Sequence, residues 1–245
     1  MRVAIVGLGG LGGPAARGLA AAGVSLALFD GDTVEIHNLH RQTLFREGDL
    51  GRPKASLAAE RLREVCPGAD LLAWDERVDE GNLALLDACG LWVDATDQLS
   101  SKLFFSDQAV GRRRTLVHGG AVRLGGQVLG IVPGQGPCLR CLVDAGAEGE
   151  TCSSAGILGP VVGLLGAEMA RMVLRAIRGE SIAGRFVTYD ALAAALREGA
   201  LARREGCEAC GALFADSARG DLQRSATPLR DADGLRGQPP REAAC

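Results

Sequence analysis

Val3-Ala4-Ile5-Val6-Gly7-Leu8-Gly9-Gly10-Leu11-Gly12 decides how this chain is to be read. Four β-branched or small apolar residues in a row suit a strand buried on both faces of a parallel sheet. Glycines at 7, 9, 10 and 12 then permit a tight turn and let backbone N–H groups approach a phosphate or ribose at a helix N-terminus. The spacing predicts a helix over 13–22, a stop at Gly23, and a second strand over 25–29 that ends in Asp30. Strand, turn, helix and strand make a βαβ unit, and Asp30 falls where a carboxylate would accept hydrogen bonds from ribose hydroxyls.

Outward from this unit the same alternation continues. Residues 31–52 read as a polar loop, and Pro53 opens a helix whose first turn carries Lys54. Strands are predicted over 69–74 and 91–95, with a helix over 80–88 between them; the second strand delivers Thr96 and Asp97 to the carboxyl edge of the sheet. A helix over 101–110 and a strand over 115–118 follow, then a hairpin over 122–132 pivoting at Gly125-Gly126. A long helix over 158–177, a strand over 186–189 and a helical or extended piece over 191–201 complete the pattern. The fold class is therefore α/β: a Rossmann-like doubly wound sheet, parallel in its first half, with antiparallel strands added in the second. Residues 1–211 form one domain, and 212–245, rich in Ala, Arg, Asp, Gly and Pro, read as a mobile tail.

Composition narrows the function classes. A hydrophobic content of 47% supports a large core, and a net charge of -3 argues against a nucleic-acid binder, which needs Lys and Arg in excess. Arg112-Arg113-Arg114 is short and sits at a predicted helix end, where cations face the helix dipole. No secretion leader and no unbroken apolar span are legible, so a cytoplasmic protein without a membrane partner is expected.

The loop Asp30-Gly31-Asp32-Thr33-Val34-Glu35-Ile36-His37-Asn38-Leu39-His40-Arg41-Gln42 is more than a dehydrogenase needs. After the glycine turn, and followed by Gly51-Arg52-Pro53-Lys54, it resembles the adenylation domain of ubiquitin-activating enzymes and their bacterial relatives. The molybdopterin-synthase and thiamine-biosynthesis sulfur-carrier adenylyltransferases are the nearest in pattern, and the likeness runs from residue 3 to about 211. The resemblance implies that ATP adenylates the C-terminal carboxylate of a small ubiquitin-like carrier ending in Gly-Gly, with release of pyrophosphate.

That chemistry suits the residues. Pyrophosphate leaves with negative charge that must be neutralised as it redistributes. Arg41 can grip phosphate oxygens with a planar fork, Lys54 adds a point charge, and Asn38 donates a neutral hydrogen bond. The resemblance makes Asp97 the Mg²⁺ ligand, with Gln98 beside it in place of the usual asparagine. The nucleophile needs no general base, because a terminal carboxyl with a pKa of about 3.5 is already ionised. His37, His40 and His118 are accordingly read as hydrogen-bonded loop or core residues, and Asp32 as a loop cap that can assist at the metal.

Eight cysteines without a leader suggest metal or thiol chemistry rather than disulfides. Cys138-Leu139-Arg140-Cys141 and Cys207-Glu208-Ala209-Cys210 supply two C-x-x-C hooks, which fit a structural tetrahedral Zn²⁺; a redox dithiol is the alternative. Cys152 stands in a loop whose matching cysteine, in the thiamine branch of the resembling family, is joined covalently to the activated carrier. Cys66 and Cys89 read as core, and Cys245 as a tail residue.

Family members carry, before the first strand, a helical segment whose arginine reaches the partner subunit's ATP; here the strand opens the sequence and no such arginine is expected. No sulfurtransferase domain is expected after the zinc hooks, so the sulfur donor would be a separate protein, and a homodimer is implied by the resemblance. Two other readings use the same glycine turn: an NAD-dependent oxidoreductase, and a non-catalytic scaffold that binds a ubiquitin-like protein.

Overall fold

The computed structural model describes residues 1–143 and 156–213. Cys152 and nearly all of the expected tail lie outside the described residues. Five strands run parallel: β1 (Arg2–Val6), β2 (Ser25–Phe29), β3 (Leu71–Trp74), β4 (Leu91–Asp94) and β5 (Thr115–Val122). Three more, β6 (Gly125–Ile131), β7 (Arg185–Asp190) and β8 (Ala195–Ala200), extend the sheet antiparallel. The sheet order is β3-β2-β1-β4-β5-β6-β7-β8. Helices α1 (Gly12–Ala21), α2 (Lys54–Val65), α3 (Leu99–Gly111) and α4 (Gly159–Ile177) cover its faces.

Period-two alternation explains why strands with no polar face form the centre. Val3, Ile5, Leu26, Leu28, Leu91 and Val93 enter one core with α1, α2 and α4, while Ala4, Val6, Ala27, Phe29 and Trp92 enter another with α3 and the cysteine hooks. The reversal of strand order beside β1 leaves a crevice above the carboxyl ends of β1, β2 and β4, the usual ligand position in such sheets.

Two expectations about local structure need correction. Residues 80–88 are not an α-helix; only Leu83–Ala88 coil, as a tight 3-10 turn. Asp79 and Asn82 side chains accept N–H groups from Gly81 and Asp79, which starts a turn instead of a helix, and Trp92 takes the Leu86 carbonyl at 2.9 Å. The hairpin pivots at Arg123-Leu124, not at Gly125-Gly126, since Val122 pairs with Gly125. A Cβ on Gly126 would run into the Gly120 carbonyl oxygen of β5 and stand 2.5 Å from Leu165 Cδ1, so this glycine lets β6 lie close to both β5 and α4. Of the two alternatives for residues 191–201 the extended one holds: a turn, with the Asp190 carboxylate accepting the Leu192 N–H at 2.9 Å, leads into β8. The remaining elements differ from the reading by a few residues at their ends.

Candidate active site

The crevice is built from the glycine turn outward and encloses about 310 Å³. Gly7 has a φ of +88°, and a Cβ there would stand 2.7 Å from the Ala95 carbonyl oxygen. The turn after β1 thus lies directly on the end of β4. A Cβ on Gly12 would run into the Gly7 carbonyl oxygen, so Gly12 closes the turn against α1 and does not itself line the crevice.

Asp30 ends β2. Its Oδ2 accepts the Leu8 N–H at 2.7 Å and its Oδ1 accepts the Asp32 N–H at 2.9 Å. Burial raises its pKa above the usual carboxylate value, against Lys54 and these two N–H bonds. The carboxylate expected to receive ribose also holds the glycine turn to the following loop; each oxygen keeps a second lone pair.

The loop residues share one crevice with the glycine turn and the end of β4. Gly7, Gly9, Gly10, Asp30, Asn38, Arg41, Lys54, Asp97 and Gln98 all line the crevice. Arg41 donates to Asn38 Oδ1 at 2.6 Å and to the His37 carbonyl at 3.3 Å. Asn38 is buried and donates to Glu35 at 3.3 Å, leaving little of its amide free. Lys54 is buried with its Nζ 3.3 Å from Asp32 Oδ2. Arg77, which sequence reasoning missed, donates to Asp32 Oδ1 at 2.7 Å. Burial opposes ionisation of Asp32, yet Arg77 and Lys54 hold its pKa below the ordinary value. Asp97 and Gln98 project from the end of β4 and are exposed.

Beneath Asp97 lies a buried polar cluster. Asp94 Oδ1 accepts the Thr96 hydroxyl at 2.6 Å and the Thr96 N–H at 3.1 Å, while Oδ2 lies 2.8 Å from His118 Nδ1 and 3.9 Å from Lys102 Nζ. Lys102 also donates to the Gly119 carbonyl at 2.6 Å. Burial opposes ionisation of Asp94, but Lys102, His118 and Thr96 pull its pKa down to about 2. His118 is thus the hydrogen-bonded core residue expected of it. His37 and His40 are exposed loop residues, and His40 Nδ1 lies 2.9 Å from the His37 carbonyl.

The two cysteine hooks meet. Cys138 and Cys141 flank a 3-10 turn after β6, and Cys207 and Cys210 follow β8. Their four sulfurs lie within 4.8 Å of one another, with Cys138 to Cys207 at 3.7 Å and Cys141 to Cys210 at 3.6 Å. Tetrahedral Zn–S bonds of about 2.3 Å place sulfurs about 3.8 Å apart, close to these two pairs, so the donor set fits zinc. Burial raises the pKa of Cys207, but the backbone N–H groups of Cys210 and Ala209 overcome this and bring it down to about 7. Burial and the neighbouring sulfurs push Cys210 up to about 11. Thiols crowded in this way need a cation to ionise together.

A glycine turn, a carboxylate after β2 and side chains of both charges define an α/β protein with a polar crevice at the carboxyl edge of its sheet. Residues 1–209 match the ThiF family, and the chain belongs to it. The molybdopterin-synthase adenylyltransferase of Escherichia coli is 37% identical over 216 residues, covering 86% of this chain and 87% of that protein. The sulfur carrier protein ThiS adenylyltransferase of the same organism is 38% identical over 223 residues, covering 88% of each. Among solved structures, E. coli MccB with ATP superposes with a TM-score of 0.75 at 21% identity, covering 86% of this chain and 67% of that one.

Proposed function

We propose that this chain is an adenylyltransferase: it uses ATP to adenylate the C-terminal glycine carboxylate of a small ubiquitin-like sulfur-carrier protein and releases pyrophosphate. The observation that carries this reading is the convergence of Arg41, Lys54 and Asp97, from three separate segments, on one crevice above the glycine turn. The similarity to a molybdopterin-synthase adenylyltransferase and a sulfur carrier protein ThiS adenylyltransferase, over most of their length, supports it.

In this reading Gly7, Gly9 and Gly10 leave room for the nucleotide, and Asp30 takes the ribose. Arg41 and Lys54 exchange their present partners, Asn38 and Asp32, for phosphate oxygens. Their positioned charges then stabilise the departing pyrophosphate. Asp97 and Gln98 are exposed on the crevice, and a carboxylate there suits Mg²⁺, which would neutralise phosphate charge when bound. Asp32 is close enough to Lys54 and Arg77 to govern when these cations are released. Zinc at the four cysteines would be structural, because every ligand position is filled by protein sulfur.

We place the reaction in the cytoplasm, with a homodimer as the assembly and sulfur delivered afterwards by another protein. No described helix is long and apolar enough to cross a membrane. Intact-mass measurement of carriers ending in Gly-Gly, after incubation with the protein and Mg-ATP, tests the proposal. A carrier gaining one AMP is the expected result; no mass change in any such carrier, with ATP bound, would favour a scaffold.

A further inference from the structure

Gln42 is buried and lines the crevice, yet its side-chain amide pairs with nothing among the described residues. Its Oε1 is buried without a partner, and its Nε2 lies 3.5 Å from where a Cβ on Gly9 would stand. The backbone is fixed, since the Gln42 N–H donates to the Asn38 carbonyl and the Gln42 carbonyl accepts from Phe45. Only the amide is left open, and its last torsion is soft enough to turn toward a ligand. Buried polar groups are nearly always satisfied, so an exception inside a binding crevice marks a place that a ligand completes.

The chemistry of the amide selects the ligand. Phosphate oxygens only accept, so they would leave Oε1 unpaired; the partner must present a donor and an acceptor side by side. An extended terminal residue does this, because its backbone N–H and its own carboxyl oxygen point the same way. Asp30, which takes the ribose in the proposed reading, holds the turn at Leu8; Gln42 faces Gly9, and the adjoining Gly10 abuts Val162 of α4.

We infer that Gln42 grips the last residue of the incoming carrier, accepting its backbone N–H and donating to one carboxylate oxygen, so that the other oxygen is left to attack the α-phosphorus. The inference rests on the adenylation reading and adds to it a residue that selects and orients the nucleophile.

The test is a cycle between Gln42→Met and the carrier. A ubiquitin-like carrier ending in Gly-Gly that the wild-type chain adenylates is prepared with glycine or N-methylglycine as its last residue. Gln42→Met is expected to leave the melting temperature of the free protein unchanged or higher, since it removes an unpaired buried amide. It should raise KM for the carrier about 5- to 30-fold, the worth of one or two hydrogen bonds, with KM for ATP unchanged. N-methylation should weaken the wild type but add little to the variant. A rise in KM for ATP alone would assign the amide to the nucleotide, and fully independent losses in the cycle would show no contact; either overturns the inference. If Gln42→Met does not fold, Gln42→Glu keeps the size and sets a negative charge against the carboxylate. Carrier KM unchanged in that variant would also overturn it. Failure of the wild type to adenylate any such carrier would instead defeat the adenylation reading, and a melting temperature lowered by Gln42→Met would still refute the unpaired amide.

Discussion

His118 Nδ1 lies 2.8 Å from Asp94 Oδ2, both side chains buried beneath the crevice. Through the other oxygen the same carboxylate fixes the Thr96 N–H and hydroxyl, one residue before Asp97. The pair therefore joins the core of the sheet to the turn that carries the candidate metal ligand.

A pH dependence of stability follows from this pair. Burial, with the Lys102 ammonium nearby, keeps the pKa of His118 below 6.5 despite Asp94. Below pH 6.5 the unfolded chain binds a proton there that the folded chain resists, so stability falls as the pH drops. The Asp94 contribution, complete above 3.8, is lost as the pH falls further toward about 2. Denaturant melts from pH 8 to 5 should show the first decline, and His118→Asn, which keeps a donor to Asp94, should flatten it. His118→Leu removes one donor from the buried carboxylate, which keeps Thr96 and Lys102, and should cost about 1.5–3 kcal/mol.

Gly7→Ala is expected to destabilise the fold by about 2–4 kcal/mol, combining a strained φ with a clash. A Cβ at 2.7 Å from the Ala95 carbonyl oxygen can be relieved only by parting β1 from the end of β4. Equilibrium unfolding and ATP titration should report both losses; an unaltered variant would mean that the turn is looser than its geometry.

Chelation should separate structure from chemistry. Elemental analysis should find one zinc per chain, and removing it, or Cys207→Ser, should lower the melting temperature. A contribution on the order of 4 kcal/mol corresponds to roughly 8–16 °C for a chain of this size. ATP affinity at low temperature should stay within a few-fold, because the cysteines do not line the crevice.

Much of the fold was legible because its signals are local. Residues 3–30 hold strand, turn, helix and acid in one stretch, and the two C-x-x-C hooks announce a shared site by their spacing. The 80–88 segment and the hairpin pivot were not, because they were settled by competition: Asp79 and Asn82 against helix hydrogen bonds, and the β5 backbone and α4 against any side chain at Gly126. Arg77 and Lys102 were missed although each obeys a simple rule. Arg77 follows β3 at the carboxyl edge where the other site residues gather, and Lys102 lies in the opening turns of the helix after Asp97. Neither carries a motif, so only the assembled sheet brings them to the crevice. Gln42 stood within the quoted loop, but its missing partner is a property of packing alone.

The claim on which the account turns is that Arg41 and Lys54 stabilise the departing pyrophosphate. Carrier-dependent exchange of labelled pyrophosphate into ATP measures that step directly. Arg41→Ala and Lys54→Ala, each still folded by circular dichroism, should lower exchange by about 10²- to 10³-fold. Exchange at the wild-type rate in both variants would contradict the account.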